Sequence, residues 1–145
     1  MTELRAYFDT SELLKRYVNE EGSFRARLFT RRFRCVTADI TSIELSSALA
    51  RRLSLGQLDD RAHHAIWSRV TKDRATWVRV RMDDSVLVQA EQVASSHHLK
   101  TLDAIHVGSA LDFQARSATR IPFISADVRQ LNAAASSGLR IERVL

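Results

Sequence analysis

The sequence predicts an α/β protein: a central, mainly parallel five-stranded sheet covered by helices on both faces. Two observations carry this. Five short β-like runs alternate with segments of helical periodicity, and alternation of that kind argues for parallel strands joined by helical crossovers. The length, 145 residues, suits a single domain over 1–145, long enough for one core and short for two. Four glycines and one proline leave no room for a flexible linker or a low-complexity arm.

The elements are read in order. Arg5–Phe8 (RAYF) is a strand. Leu13, Leu14, Tyr17 and Val18 mark a first helix, and Phe24, Leu28 and Phe29 a second. Arg34–Ala38 (RCVTA) is the next strand, followed by a helix lined by Leu45, Ala48, Leu49 and Leu53 and another by Ala65, Ile66 and Val70. Trp77–Met82 (WVRVRM) is the third strand, and Val86, Leu87, Ala90, Val93 and Ala94 stripe the helix after it. TLDAIHVGSALDF, residues Thr101–Phe113, is a helix of mostly small and apolar residues. Pro122–Ser125 (PFIS) is a strand, Val128–Ala135 a short helix ending near Gly138 as its cap, and Arg140–Val144 the last strand.

Composition narrows the function classes. Hydrophobic content of 45% with 27% charged residues is ordinary for a soluble globular chain. MTELRAYFDTSELL has no basic segment leading into an apolar run, and no stretch is apolar enough to span a bilayer, so a cytoplasmic protein without a membrane partner is expected. Cys35 has no second cysteine to pair with and reads as a buried thiol. Twenty-two Lys and Arg against seventeen Asp and Glu give +5. Arg25, Arg27, Arg31, Arg32 and Arg34 crowd one stretch, and arginine forks match phosphate oxygens. Arg31 and Arg32 are therefore RNA-binding candidates, against the plainer reading of a solvated basic surface.

Open parallel sheets bind ligands outside the carboxyl ends of their strands. Asp9 follows the first strand and Asp127 the fourth, so two strands end in an aspartate at that edge. Either acid, or the nearby Ser11 and Ser125, also suits a helix N-cap. Asp103 opens the small-residue helix, whose Gly108, Ser109 and Ala110 allow close packing on a neighbour. Glu44, in ITSIELSSALARR, shares a helix stripe with Ala48 and Arg51, where a glutamate is ordinarily solvated or paired.

Carboxylates gathered in one cleft repel one another, and a divalent cation removes the conflict. An oxygen-only donor set favours Mg²⁺ or Mn²⁺, which can lower the pKa of a bound water and stabilise charge at phosphorus. No serine–histidine or cysteine–histidine nucleophile and no phosphate-cradling glycine loop is present. His106, three residues after Asp103, reads as a core or supporting histidine rather than a ligand. His63–His64 and His97–His98 read as surface or packing residues.

DTSELLKRY, TADITSIELSSALARR, LDAIHVGSAL and FISADVRQLNAAASSGLRI occur in this order over the whole chain. In these pieces the sequence resembles the PIN-domain ribonucleases, and within them the VapC toxins of type II toxin–antitoxin pairs. The resemblance implies a PIN-like three-layer α/β/α fold and a catalytic, metal-binding set of Asp9, Glu44, Asp103 and Asp127. It implies supporting roles for Ser11 and Ser125, and Mg²⁺- or Mn²⁺-dependent cleavage of translation-related RNA such as tRNA or rRNA. It also implies a homodimer and a cognate VapB-like antitoxin.

Two other classes compete. A phosphoacceptor receiver domain needs paired acids after the first strand and a lysine ending a late strand; here Asp9 stands alone and the lysines are Lys15, Lys72 and Lys100. The remaining alternative is a non-catalytic or housekeeping PIN-fold RNA-binding protein.

Overall fold

The computed structural model describes residues 3–143. Its strands are β1 (Arg5–Phe8), β2 (Arg34–Ala38), β3 (Val78–Val80), β4 (Pro122–Ser125) and β5 (Arg140–Arg143). Its helices are α1 (Thr10–Tyr17), α2 (Ser23–Arg32), α3 (Thr41–Ser54), α4 (Asp60–Arg74), α5 (Asp84–His97), α6 (Thr101–Ser117) and α7 (Val128–Ser136). Val144, expected to end the last strand, lies outside the described residues. The strands run in the order β3-β2-β1-β4-β5, and every pairing is parallel.

Side-chain alternation builds the layers. Tyr7, Val36, Val80 and Phe123 project to one face, where Val86 and Val93 of α5, Val107 and Ala110 of α6 and Leu131 of α7 cover them. Their neighbours Ala6, Phe8, Cys35 and Ile124 project to the other, against Leu13 of α1 and Phe29 of α2. Tyr17, Leu45, Leu49 and Val70 then fasten α1, α3 and α4 together. The result is a three-layer α/β/α arrangement with an all-parallel sheet.

Two elements differ from the sequence expectation. The strand expected over Trp77–Met82 pairs only at Val78–Val80. Trp77 still donates its N–H to the Arg74 carbonyl, and Asp83 turns back on Arg81, so the ladder is bounded by turns at both ends. In α2 the inward face is Ser23 and Ala26 with half-buried Phe29, while Phe24 and Leu28 are 74% and 48% exposed.

Gly108 explains how α6 is held. A Cβ there would lie 2.9 Å from the backbone nitrogen of Ala90, so only glycine permits this approach of α5. The strand order reverses between β1 and β4, and a crevice opens there beyond their carboxyl ends.

Candidate active site

The crevice is a cleft of about 450 Å³ whose walls include Asp9, Glu44, Asp103 and Asp127. The structure thus brings all four acids together, from α-helical ends and turns in both helical layers. Ser11, Thr10, Lys15, Glu20 and His106 also line it.

Asp9 is buried and caps α1, accepting the Glu12 N–H at 2.8 Å. Ser11 donates to both of its oxygens, at 3.0 and 2.9 Å, and Ser125 donates to Oδ2 at 2.7 Å. The cap and the cleft acid are the same residue. Burial nonetheless raises the Asp9 pKa, against the pull of His106 and these donors.

Asp127 caps α7 in the same manner, its Oδ1 accepting from Arg129 and Gln130 N–H groups at 2.9 and 3.3 Å. Asp103 sits in the first turn of α6, which has no side-chain cap. Burial raises the Asp103 pKa first, and the charges of Asp127 and Glu44 raise it further. Repulsion among the acids is therefore present in the metal-free protein.

Glu44 reaches the cleft from α3. Its Oε1 accepts from the Thr10 hydroxyl at 2.6 Å and lies 2.7 Å from His106 Nε2. Burial opposes ionisation of this carboxyl, but the His106 and Thr10 contacts prevail and its pKa is lowered.

Several contributors escaped the sequence reading. Thr10 joins Glu44 to His106, with 3.0 Å between its hydroxyl and Nε2. Gln130, buried on α7, places its Oε1 3.1 Å from the Ser125 hydroxyl and donates to the Asp103 backbone carbonyl at 3.2 Å. These contacts depend on tertiary approach, so no local motif announces them. Glu12 had a signal: with Asp9 it spells the D-x-x-E of a capping box. Arg31 and Arg32 are exposed at the end of α2, where the chain enters the amino end of β2, and neither lines the cleft.

What could the arrangement hold? Among the described residues, no protein donor reaches the Asp103 carboxylate, Glu44 Oε2 or Asp127 Oδ2. Among the same residues, no three acidic, histidine or cysteine side chains converge closely enough to enclose a cation by themselves. The donor chemistry suits a hard divalent ion that keeps several waters, since such an ion needs only one or two carboxylates.

Solved structures of similar fold are known. A toxin–antitoxin complex from Klebsiella pneumoniae superposes with a TM-score of 0.60 at 15% identity, covering 87% of this chain and 89% of that one. A protein from Pyrobaculum aerophilum gives 0.61 at 17% identity, covering 95% of this chain and 83% of its own. FitAB bound to a DNA fragment gives 0.64 at 13% identity, with 95% and 94% covered. At these identities the likeness is one of fold. No curated protein matches the sequence closely enough to count as a relative. The PIN domain family model matches residues 6–135, nearly the whole sheet and every helix that lines the cleft, and the chain belongs to the PIN domain family.

Proposed function

We propose that the protein is a Mg²⁺- or Mn²⁺-dependent endoribonuclease acting as the VapC-type toxin of a type II toxin–antitoxin pair. The observation that carries this reading is the cleft at the β1–β4 switch point, walled by the four acids Asp9, Glu44, Asp103 and Asp127. Two structures of similar fold are described as a toxin–antitoxin complex and as FitAB bound to DNA, which favours a toxin over a housekeeping nuclease. On this reading a VapB-like antitoxin is the cognate partner, the active form is a homodimer, and the substrate is translation-related RNA such as tRNA or rRNA.

Asp9, Glu44, Asp103 and Asp127 would hold the cation. A bound divalent ion supplies a water of lowered pKa and stabilises charge on the phosphoryl oxygens. The chain's own part is orientation. Ser11 and Ser125 fix the Asp9 carboxylate, and Thr10 and His106 fix Glu44. The free oxygens of Asp103, Glu44 and Asp127 remain to accept from water or cation.

Purified protein should cleave RNA with Mg²⁺ or Mn²⁺ and stop when a chelator is added. Attack by water at phosphorus with the 3′-oxygen departing would leave a 5′-phosphate and a 3′-hydroxyl, and because the 2′-hydroxyl takes no part no cyclic phosphate should form. Products with 2′,3′-cyclic phosphate that persist in chelator would overturn the mechanism.

A further inference from the structure

His106 is 2% exposed, yet one edge of its ring meets the acid cleft and the other meets a fully buried tyrosine. Its Nδ1 lies 2.7 Å from the Tyr7 hydroxyl. Tyr7 is itself fully buried, stacked on Phe123 with ring centroids 5.3 Å apart in the middle of the sheet.

The proton positions follow from the partners. The Thr10 hydroxyl gives its proton to Glu44 Oε1, so toward His106 it presents only lone pairs. Nε2 therefore faces two acceptors, the Thr10 oxygen at 3.0 Å and Glu44 Oε1 at 2.7 Å, and must carry a hydrogen. In the neutral ring Nδ1 then accepts from Tyr7, and in either charge state Nε2 donates to Glu44. A hydrogen bond at one ring nitrogen sets the role of the other.

Both donors converge on the same carboxylate oxygen. Thr10 and His106 tie down Oε1, and among the described residues nothing bonds Oε2. We propose that His106 is a positioning residue, anchored at Nδ1 by Tyr7, whose Nε2–H fixes Glu44 so that only Oε2 is offered to the cleft. The relay runs from the buried centre of the sheet, through α6, to an acid on α3. It rests on the hydrolase reading above and adds to it the reason Glu44 points as it does.

The test compares wild type with His106→Leu, His106→Gln and Tyr7→Phe. Mn²⁺ alone is titrated by calorimetry, cleavage of an RNA oligonucleotide is measured, and melts in chelator establish that each variant is folded. Loss of a partner that orients a ligand typically costs 10–100-fold in metal affinity, so His106→Leu should weaken Mn²⁺ binding by about that range. His106→Gln keeps an N–H directed at Glu44 and should recover most of the affinity. Tyr7→Phe removes one hydroxyl and no ring volume, and should weaken Mn²⁺ binding by about tenfold. Because the ring is buried away from RNA, kcat should fall in His106→Leu and Tyr7→Phe while KM for RNA holds. If His106→Leu does not fold, Tyr7→Phe against wild type decides. Wild type that binds Mn²⁺ while His106→Leu and Tyr7→Phe bind it within about threefold overturns this inference alone. Wild type that neither binds Mn²⁺ nor cuts RNA overturns the hydrolase reading and this inference together.

Discussion

At Glu12 the sheet and the helix compete for one backbone donor. A capping box would have the Glu12 carboxylate accept the Asp9 N–H. That N–H is already given to the Ile124 carbonyl at 3.3 Å, continuing the β1–β4 ladder. Among the described residues both Glu12 oxygens are thus buried without a partner, and burial, with the Asp9 charge, pushes the pKa up to about 8. An acid whose folded pKa exceeds its unfolded value binds more protons when folded, so stability falls as pH rises from about 4.5 toward 8. Glu12→Met should stabilise the metal-free protein by about 1–3 kcal/mol at pH 7 and flatten that pH dependence. Melts from pH 5 to 8 in chelator measure it, and equal slopes for both proteins would refute it. Asp103 gives a second prediction at this scale. If it served only the helix dipole, Asp103→Asn would cost a few tenths to about 1 kcal/mol with or without metal. The charges of Asp127 and Glu44 instead raise its pKa, so the change should leave chelator stability level or higher. Wild type should gain about 2.7 kcal/mol when metal reaches a hundred times its Kd, the variant much less, and the variant should not cut RNA.

Elements were legible where their apolar period was clean and misread where tertiary contacts chose the face. β1, β2 and β4 have the bounds their β-like runs predict. In α2 the conspicuous apolar residues are Phe24 and Leu28, whereas packing chiefly against α1 buries the smaller Ser23 and Ala26. β3 was overextended because WVRVRM alternates throughout, although its outer residues belong to turns. The small-residue face of α6 was read correctly, and it makes a sharp prediction. Gly108→Ala should improve helix propensity by about 1 kcal/mol, yet its Cβ would stand 2.9 Å from the Ala90 backbone. Overpacking costs typically 1–3 kcal/mol, so the variant should melt lower than wild type. Ala118, which ends α6 at φ 51°, points the other way. Ala118→Gly removes a left-handed strain of about 1–2 kcal/mol and should raise the melting temperature.

For the molecule as a whole, the edge rule located the cleft, since Asp9 and Asp127 follow strands that turn out to be adjacent. Glu44 and Asp103 carried little signal of their own and were placed by family likeness. The contacts Tyr7–His106 and Thr10–His106 span 99 and 96 positions, beyond any local pattern. Charge was the least informative level. Among the described residues lining the cleft Lys15 is the lysine or arginine, whereas Arg31 and Arg32 lie toward the opposite edge of the sheet. For a short RNA bound to the cleavage-dead Asp103→Asn protein, Lys15→Ala should reduce the salt slope of affinity by about one. Replacing Arg31 and Arg32 with alanine should leave that slope unchanged; a flatter one would extend the RNA path round to α2.

The β1–β4 pairing has a consequence in time. The Ser125 hydroxyl that holds Asp9 is synthesised 116 positions after it. At about 5–20 residues per second, translation separates the two by roughly 6 to 23 s. During that interval the growing chain lacks β4 and Asp127 and so has no assembled cleft. On the toxin reading proposed above, fragments ending before β4 should be tolerated by a host at expression levels where the whole chain arrests growth.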